Sequence, residues 1–310
     1  MKCLLMSDFN NNWIHLSSAT VQPIILSEYD GKNISVDVLR LDKIHPVISG
    51  NKWFKLKYYL QEARGEKQSG AVLTFGGAWS NHIIATAFMA KLYGLHSIGV
   101  IRGERPFELS VTLQAAKNCG MSLEFISREL YSQKNEDAYL TFLKNKFGHP
   151  YVIPEGGAGL AGIKGSEEIL SLVEINKYSH IICCIGTATM YQGLLNASLP
   201  GQQVIGIPVL KGITYPQPEF TEDLKMVNRK IINEYHFGGY AKKTPALIQF
   251  MNRFYRQTGI PSDFVYTGKL LFGCTDLVIR DYFAPGSQIL IIHSGGLQGN
   301  ASLPAGALLF

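Results

Sequence analysis

The chain has no apolar run long enough to span a membrane, no CxxC pair, and no basic tract with aromatics set into it. The first absence argues against an integral membrane protein. The second leaves five cysteines, Cys3, Cys119, Cys183, Cys184 and Cys274, an odd count without zinc or redox spacing. That is the usage of a reducing compartment, so neither a disulfide frame nor a metal site is expected. The third removes the usual footprint of nucleic-acid binding, and the net charge of +5 is modest enough to suit an anionic small molecule instead. Internal repeats and low-complexity tracts are missing too. The apolar run in the N-terminal MKCLLMSDFNN is too short for a secretory signal and meets an acid at Asp8. The expectation is a cytoplasmic protein with no membrane or nucleic-acid partner.

What is present is an ordinary globular composition. With 46% hydrophobic and 17% charged residues, 310 positions can bury two domains or one large α/β domain. Buried strand-like runs alternate with helical patterns along the chain. AVLTF at 71–75 ends at a Gly-Gly pair, and Ser80 is a good N-cap for a helix over about 81–93, stopped by Gly94. SIGVIRG, SLEFIS, HIICCIG, QVIGIPVL and ILIIH read as further strands, with helices at LSVTLQAAKNCG, about 136–147, after GTATM, and at TPALIQFMNRFYRQTG. The spacing implies βαβ units and a parallel sheet. Residues 211–240 read as irregular and polar.

Several stretches carry candidate chemistry. In SGNKWFKLKYYL (49–60), a Gly-Asn turn places Lys52 in the first turn of a helix, where the dipole disfavours a cation. A lysine wanted as a neutral amine can form a Schiff base, and pyridoxal phosphate is the common carbonyl partner. The plainer reading is a solvated lysine beside Lys55 and Lys57, and this stretch alone favours it. Ser80-Asn81-His82 opens a helix whose free amides suit a substrate carboxylate, and Ser80 can exchange a proton near a reacting carbon. Ser80 as a mere cap is compatible with that. His82 by itself reads as structural. GTATMYQG (186–193) follows a buried strand and opens a helix, so amides from Gly186 to Thr189 and two threonine hydroxyls could cradle a phosphate. It is not a Walker loop, and an ordinary turn is an equal reading. Gly157, Gly159 and Gly162 match a dinucleotide fingerprint, but the strand before them is weak, and a hinge or packing loop is expected. Tyr240 and Tyr266 lie in glycine-flanked loops. Neither they nor Asp281 and His293 stand out by chemistry alone.

Taken together, GNKWFKL, FGGAWSNH, PEGGAGLAGIKG, GTATMYQG, VYTGK and HSGGLQG, in that order over nearly the whole chain, resemble the 1-aminocyclopropane-1-carboxylate deaminase/D-cysteine desulfhydrase family of fold-type-II pyridoxal-phosphate enzymes. The resemblance implies a two-domain, tryptophan-synthase-β-like α/β fold, each domain an open, mostly parallel sheet flanked by helices. It implies a large domain of 1–48 and 165–310, a small inserted domain of 49–164, and a homodimer. Pyridoxal 5′-phosphate would be carried by Lys52, with Asn51 and Asn81 beside it and its phosphate on Gly186, Thr187, Ala188 and Thr189. Ser80, Asn81, His82 and Trp79 would meet a small amino-acid substrate, and Tyr240 and Tyr266 the reacting atoms. After the second tyrosine the deaminases carry a glutamate facing the pyridine nitrogen and the desulfhydrases a threonine, as Thr267 is here. Ala188, Trp79 and Ala241 depart from the family pattern. The implied reaction is β-elimination from an amino acid such as D-cysteine. The alternatives are the cyclopropane deaminase and a cofactor-holding protein without turnover.

Overall fold

Two sheets organise the molecule. The computed structural model describes residues 14–65, 70–212 and 228–310. Chain order runs β1 (Thr20–Pro23), β2 (Ser35–Arg40), α1 (Asn51–Ala63), β3 (Ala71–Gly76), α2 (Asn81–Leu92), β4 (His96–Arg102), α3 (Val111–Asn118), β5 (Ser122–Ile126), α4 (Arg128–Ser132), α5 (Asp137–Lys146), β6 (Tyr151–Ile153) and α6 (Leu160–Glu167). It continues with β7 (His180–Ile185), α7 (Thr189–Ala197), β8 (Gln203–Pro208), β9 (Asn228–Ile231), α8 (Pro245–Thr258), α9 (Thr267–Ile279) and β10 (Gln288–His293).

The larger sheet has the order β1-β2-β10-β7-β8-β9 and the smaller β5-β4-β3-β6. Every neighbouring pair is parallel except β1 with β2. Parallel strands covered on both faces need continuous apolar runs. β3, β7 and β10 have them, with Ile181–Ile185 and Ile289–Ile292 all buried. The main core passes from the larger sheet through Phe54, Leu56 and Leu60 of α1 to Met89 and Ala90 of α2, so α1 packs between the two sheets.

One feature departs from the sequence expectation. β9 lies inside the stretch expected to be irregular, part of which (213–227) falls outside the described residues. Three of its four residues are exposed, as an edge strand permits, so no alternation betrays it. The 157–162 run turns out to be a packing loop. A Cβ at Gly162 would stand 2.0 Å from the Gly157 carbonyl, and one at Gly165 would stand 1.7 Å from the Phe54 carbonyl. Gly162 lets the start of α6 fold back on Gly157, and Gly165 lets α6 press on α1, which accounts for the run without a dinucleotide. Cys3 lies outside the described residues, and the other four cysteines are free thiols.

Candidate active site

The C-terminal ends of β3, β4, β7 and β10, the first turns of α1, α2 and α7 and the loop leading into α9 converge on one cavity of about 530 Å³. Ligands of open α/β sheets bind at such strand ends. Lys52, Asn51, Trp79, Ser80, Asn81, His82, Gly186, Thr187, Ala188, Tyr240 and Tyr266 all line it. Thr189 and Thr267 do not appear on its wall.

Lys52 is placed by the turn before it. Gly50 caps α1 at φ +68°, and a Cβ there would fall 1.7 Å from the Ser294 carbonyl, so only glycine lets this turn meet the loop after β10. The Asn51 amide donates to that same carbonyl at 3.2 Å. Lys52 Nζ then donates to Asn51 Oδ1 at 2.6 Å. Burial holds its pKa below the ordinary lysine value, with Cys184 and Asp263 opposing. A nucleophilic amine requires that direction.

Lys55, one turn on, was not singled out from the sequence. An i, i+3 spacing puts it on the same helix face as Lys52. It is buried and lines the cavity, and Nζ donates to Thr187 Oγ1 at 3.3 Å. Burial first, then the charge of Lys52, brings its pKa down to about 7. The Thr187 and Thr189 hydroxyls lie 2.9 Å apart at the N-terminus of α7. Ala188 caps that helix at φ +61°, a left-handed conformation that glycine adopts without strain, which explains why alanine is the unusual residue there.

At α2, Ser80 Oγ accepts from the Ile83 amide at 3.4 Å. Asn81 Nδ2 donates to the Gly296 carbonyl at 3.0 Å, while its Oδ1 is buried without a partner. His82 Nε2 meets Thr74 Oγ1 at 2.8 Å, and Nδ1 is likewise without a partner. Burial, then the charges of Lys52 and Lys55, drops His82 to about 3, so it is neutral. Trp79 is 39% exposed and forms part of the mouth.

The Tyr240 and Tyr266 rings meet edge to face, centroids 6.1 Å apart at 72°. Burial raises both phenols, and a hydrogen bond between their hydroxyls offsets part of this at Tyr240. Both therefore keep their protons at neutral pH. Lys269 Nζ donates to the carbonyls of His236 (2.9 Å) and Gly239 (2.7 Å), which pins the loop carrying Tyr240 to the helix that Tyr266 caps.

Thr267 is held by Asp263 at the start of α9. It is fully buried, and its hydroxyl donates to Asp263 Oδ1 at 2.7 Å while accepting from the Asp263 amide at 2.7 Å. Asp263 also accepts from the amides of Val265, Tyr266 and Thr267, each at 2.9 Å, so it anchors the start of α9. The Thr267 hydroxyl is thus bonded in both directions within the start of α9. The cavity wall instead holds Cys184 Sγ and Ser294 Oγ, 3.3 Å apart. His293 sits behind that wall, its Nε2 on the Pro261 carbonyl at 2.7 Å and its Nδ1 3.2 Å from Asp42. Asp281 pairs with Lys32 at the surface. No group of three or more His, Cys, Asp or Glu among the described residues could hold a metal. No helix among them is long and apolar enough to cross a membrane.

A family model described as "Pyridoxal-phosphate dependent enzyme" matches residues 19–295. A putative 1-aminocyclopropane-1-carboxylate deaminase from Pyrococcus horikoshii is 30% identical over 269 residues, covering 81% of each chain. A D-cysteine desulfhydrase from Salmonella typhi is 26% identical over 297 residues, 87% of this chain and 89% of the relative. Among solved structures, an ACC deaminase homologue superposes with a TM-score of 0.71 at 29% identity, covering 91% of this chain and 90% of that one.

Proposed function

The chain belongs to the pyridoxal-phosphate dependent enzymes, and from that premise we propose that it catalyses β-elimination from a small amino acid such as D-cysteine, with Lys52 carrying the cofactor. The net reaction adds one water to D-cysteine and yields pyruvate, hydrogen sulfide and ammonia.

The residues fit the cofactor. A desolvated amine, Lys52, stands in the same cavity as a cradle made of Lys55, Thr187 and the α7 N-terminus. Asn81 Oδ1 and His82 Nδ1 are buried polar atoms that still need donors. Lys52 would hold the aldehyde end. Lys55, the two threonine hydroxyls and the amides from Gly186 to Thr189 would hold the phosphate. When bound, pyridoxal phosphate takes up the substrate's amino group and drains the electrons released at Cα.

The protein supplies the rest. The first amides of α2 orient the substrate carboxylate. Lys52, neutral once free, takes the Cα proton at Nζ while Asn51 Oδ1 keeps it in place. The Tyr266 hydroxyl, backed by Tyr240, returns a proton to the departing thiolate. Trp79 narrows the mouth against water.

One observation favours elimination over ring opening: Glu155 is the only carboxylate among the described residues of the cavity wall. Position 267 carries a threonine, bonded to Asp263 at the start of α9. A carboxylate facing the ring nitrogen would keep it protonated and deepen the electron sink. Opening an unactivated cyclopropane, which has no α-proton and no leaving anion, depends on that depth more than expelling a thiolate does. Purified holoenzyme should release pyruvate and sulfide from D-cysteine or β-chloroalanine (pyruvate and chloride from the latter), and little 2-oxobutanoate from 1-aminocyclopropane-1-carboxylate. Efficient 2-oxobutanoate formation would promote the deaminase reading. No product from any amino acid, with cofactor bound, would favour a non-catalytic role.

Lys55 makes cofactor affinity depend on pH. Its folded pKa of about 7 lies below the ordinary value, so above pH 7 phosphate binding must first recharge it. The phosphate gains its second charge near pH ~6. Affinity for 4′-deoxypyridoxine 5′-phosphate, which has no aldehyde for Lys52, should therefore peak between these values. It should fall by up to about tenfold per unit above pH 7. Lys55→Met should weaken binding about 30-fold and abolish the alkaline slope. An unchanged slope in the variant would remove Lys55 from the phosphate site.

The division into 1–48 with 165–310 and 49–164 is part of the proposal. Its support is that the smaller sheet draws all four strands from between Ala71 and Ile153, and the larger sheet draws none from there. A cytoplasmic homodimer completes it, with the free thiols as support for the compartment.

A further inference from the structure

Arg102 closes β4 and lines the cavity, yet none of the roles above uses it. Its guanidinium carbon lies 5.7 Å from the Tyr131 ring centroid. One terminal nitrogen stands 3.7 Å from where a Cβ of Gly77 would be. Gly77 begins the turn that ends at Ser80, whose amide donates to the Gly77 carbonyl at 3.1 Å. The cation therefore rests against the turn whose amides open α2.

A carboxylate is close by and is not paired with it. Glu155 lines the same cavity, but it accepts from the Tyr131 hydroxyl at 2.8 Å and pairs with Lys134 at 3.5 Å. Tyr131 thus holds Glu155 by its hydroxyl and Arg102 by its ring, and no ion pair within 4.0 Å joins the two charges. Arg102 is exposed at the cavity edge, and Lys134 shares the Tyr131 ring at 5.2 Å; a guanidinium resting on an aromatic ring without a carboxylate partner can receive an anion.

The cavity so has two anion-binding elements, the first turn of α2 and Arg102. An α-carboxylate held by the turn leaves the Arg102 guanidinium for a second anion. Building on the amino-acid reading above, we propose that Arg102 selects amino acids whose side chain carries a second negative charge beyond Cβ, such as a carboxylate, sulfonate, sulfate ester or phosphate ester. The α-carboxylate takes the α2 turn, and the side-chain anion takes Arg102.

The test is equilibrium binding to the holoenzyme by titration calorimetry, with aspartate against alanine, each as both enantiomers. In the unmodified protein one enantiomer of aspartate should bind more tightly than the matching alanine. Arg102→Gln should lower the aspartate-to-alanine affinity ratio about 30-fold. Arg102→Lys, which keeps the charge but loses the planar fork, should restore part of it. The kcat/KM ratio for serine O-sulfate over β-chloroalanine should fall in parallel. Equal losses for both ligands would mean that Arg102 holds the α-carboxylate, and no loss for either would mean that it faces solvent only. Either result overturns the inference. If the ratio behaves as expected while no substrate is eliminated, the elimination reading fails and the Arg102 assignment stands.

Discussion

Lys52→Ala is expected to lower turnover by at least about 10³-fold, since it removes both the cofactor's covalent anchor and the amine placed to take the Cα proton. The fold should survive. Lys52 is only half-buried, and α1 is held by Phe54, Leu56 and Leu60, all fully buried. Cofactor should still bind through the phosphate cradle, but dialysis should strip it. Lys52→Arg should fare no better, because a guanidinium stays protonated and cannot act as the nucleophile or base. Steady-state pyruvate release and the cofactor content after dialysis check this, with the thermal midpoint as the control for folding. Turnover within tenfold of the unmodified protein would remove Lys52 from the chemistry.

Tyr266→Phe is the second large effect. Its ring packs against Gly186, where a Cβ would stand 3.1 Å from ring carbon Cε1, and phenylalanine keeps that contact. What is lost is one hydroxyl, the proton donor bonded to Tyr240. Turnover with D-cysteine should fall about 10²–10³-fold, in the range of a missing general acid. Cofactor retention and thermal midpoint should barely change. β-Chloroalanine, whose chloride needs no proton to leave, should lose much less. An equal loss with both substrates would assign Tyr266 to positioning rather than proton delivery.

How much of this was readable beforehand depends on whether the signal is local. β3 and α2 follow from a buried run, a Gly-Gly break and a serine N-cap, and they appear as expected. The Lys52 turn was readable because Gly50, Asn51 and the lysine are adjacent in sequence. The bond from the Thr267 hydroxyl to Asp263, four residues back, is announced by no pattern in the sequence, although the neighbouring Tyr266 lines the cavity. α9 itself has no counterpart among the elements expected from sequence. Its interior holds Gly268 and Gly273, poor helix formers, and tertiary burial overrides them. Lys55 was legible in retrospect from its spacing. Arg102 was not, because its meaning comes from β4 ending beside the β3–α2 turn and from the Tyr131 ring behind it.

The central claim is that Lys52 carries pyridoxal phosphate in this cavity. Borohydride reduction of the yellow holoenzyme, followed by peptide mass mapping, tests it most directly. The account predicts a single pyridoxyl adduct, on Lys52. An adduct on Lys55, Lys164 or Lys269, or none at all, would contradict it.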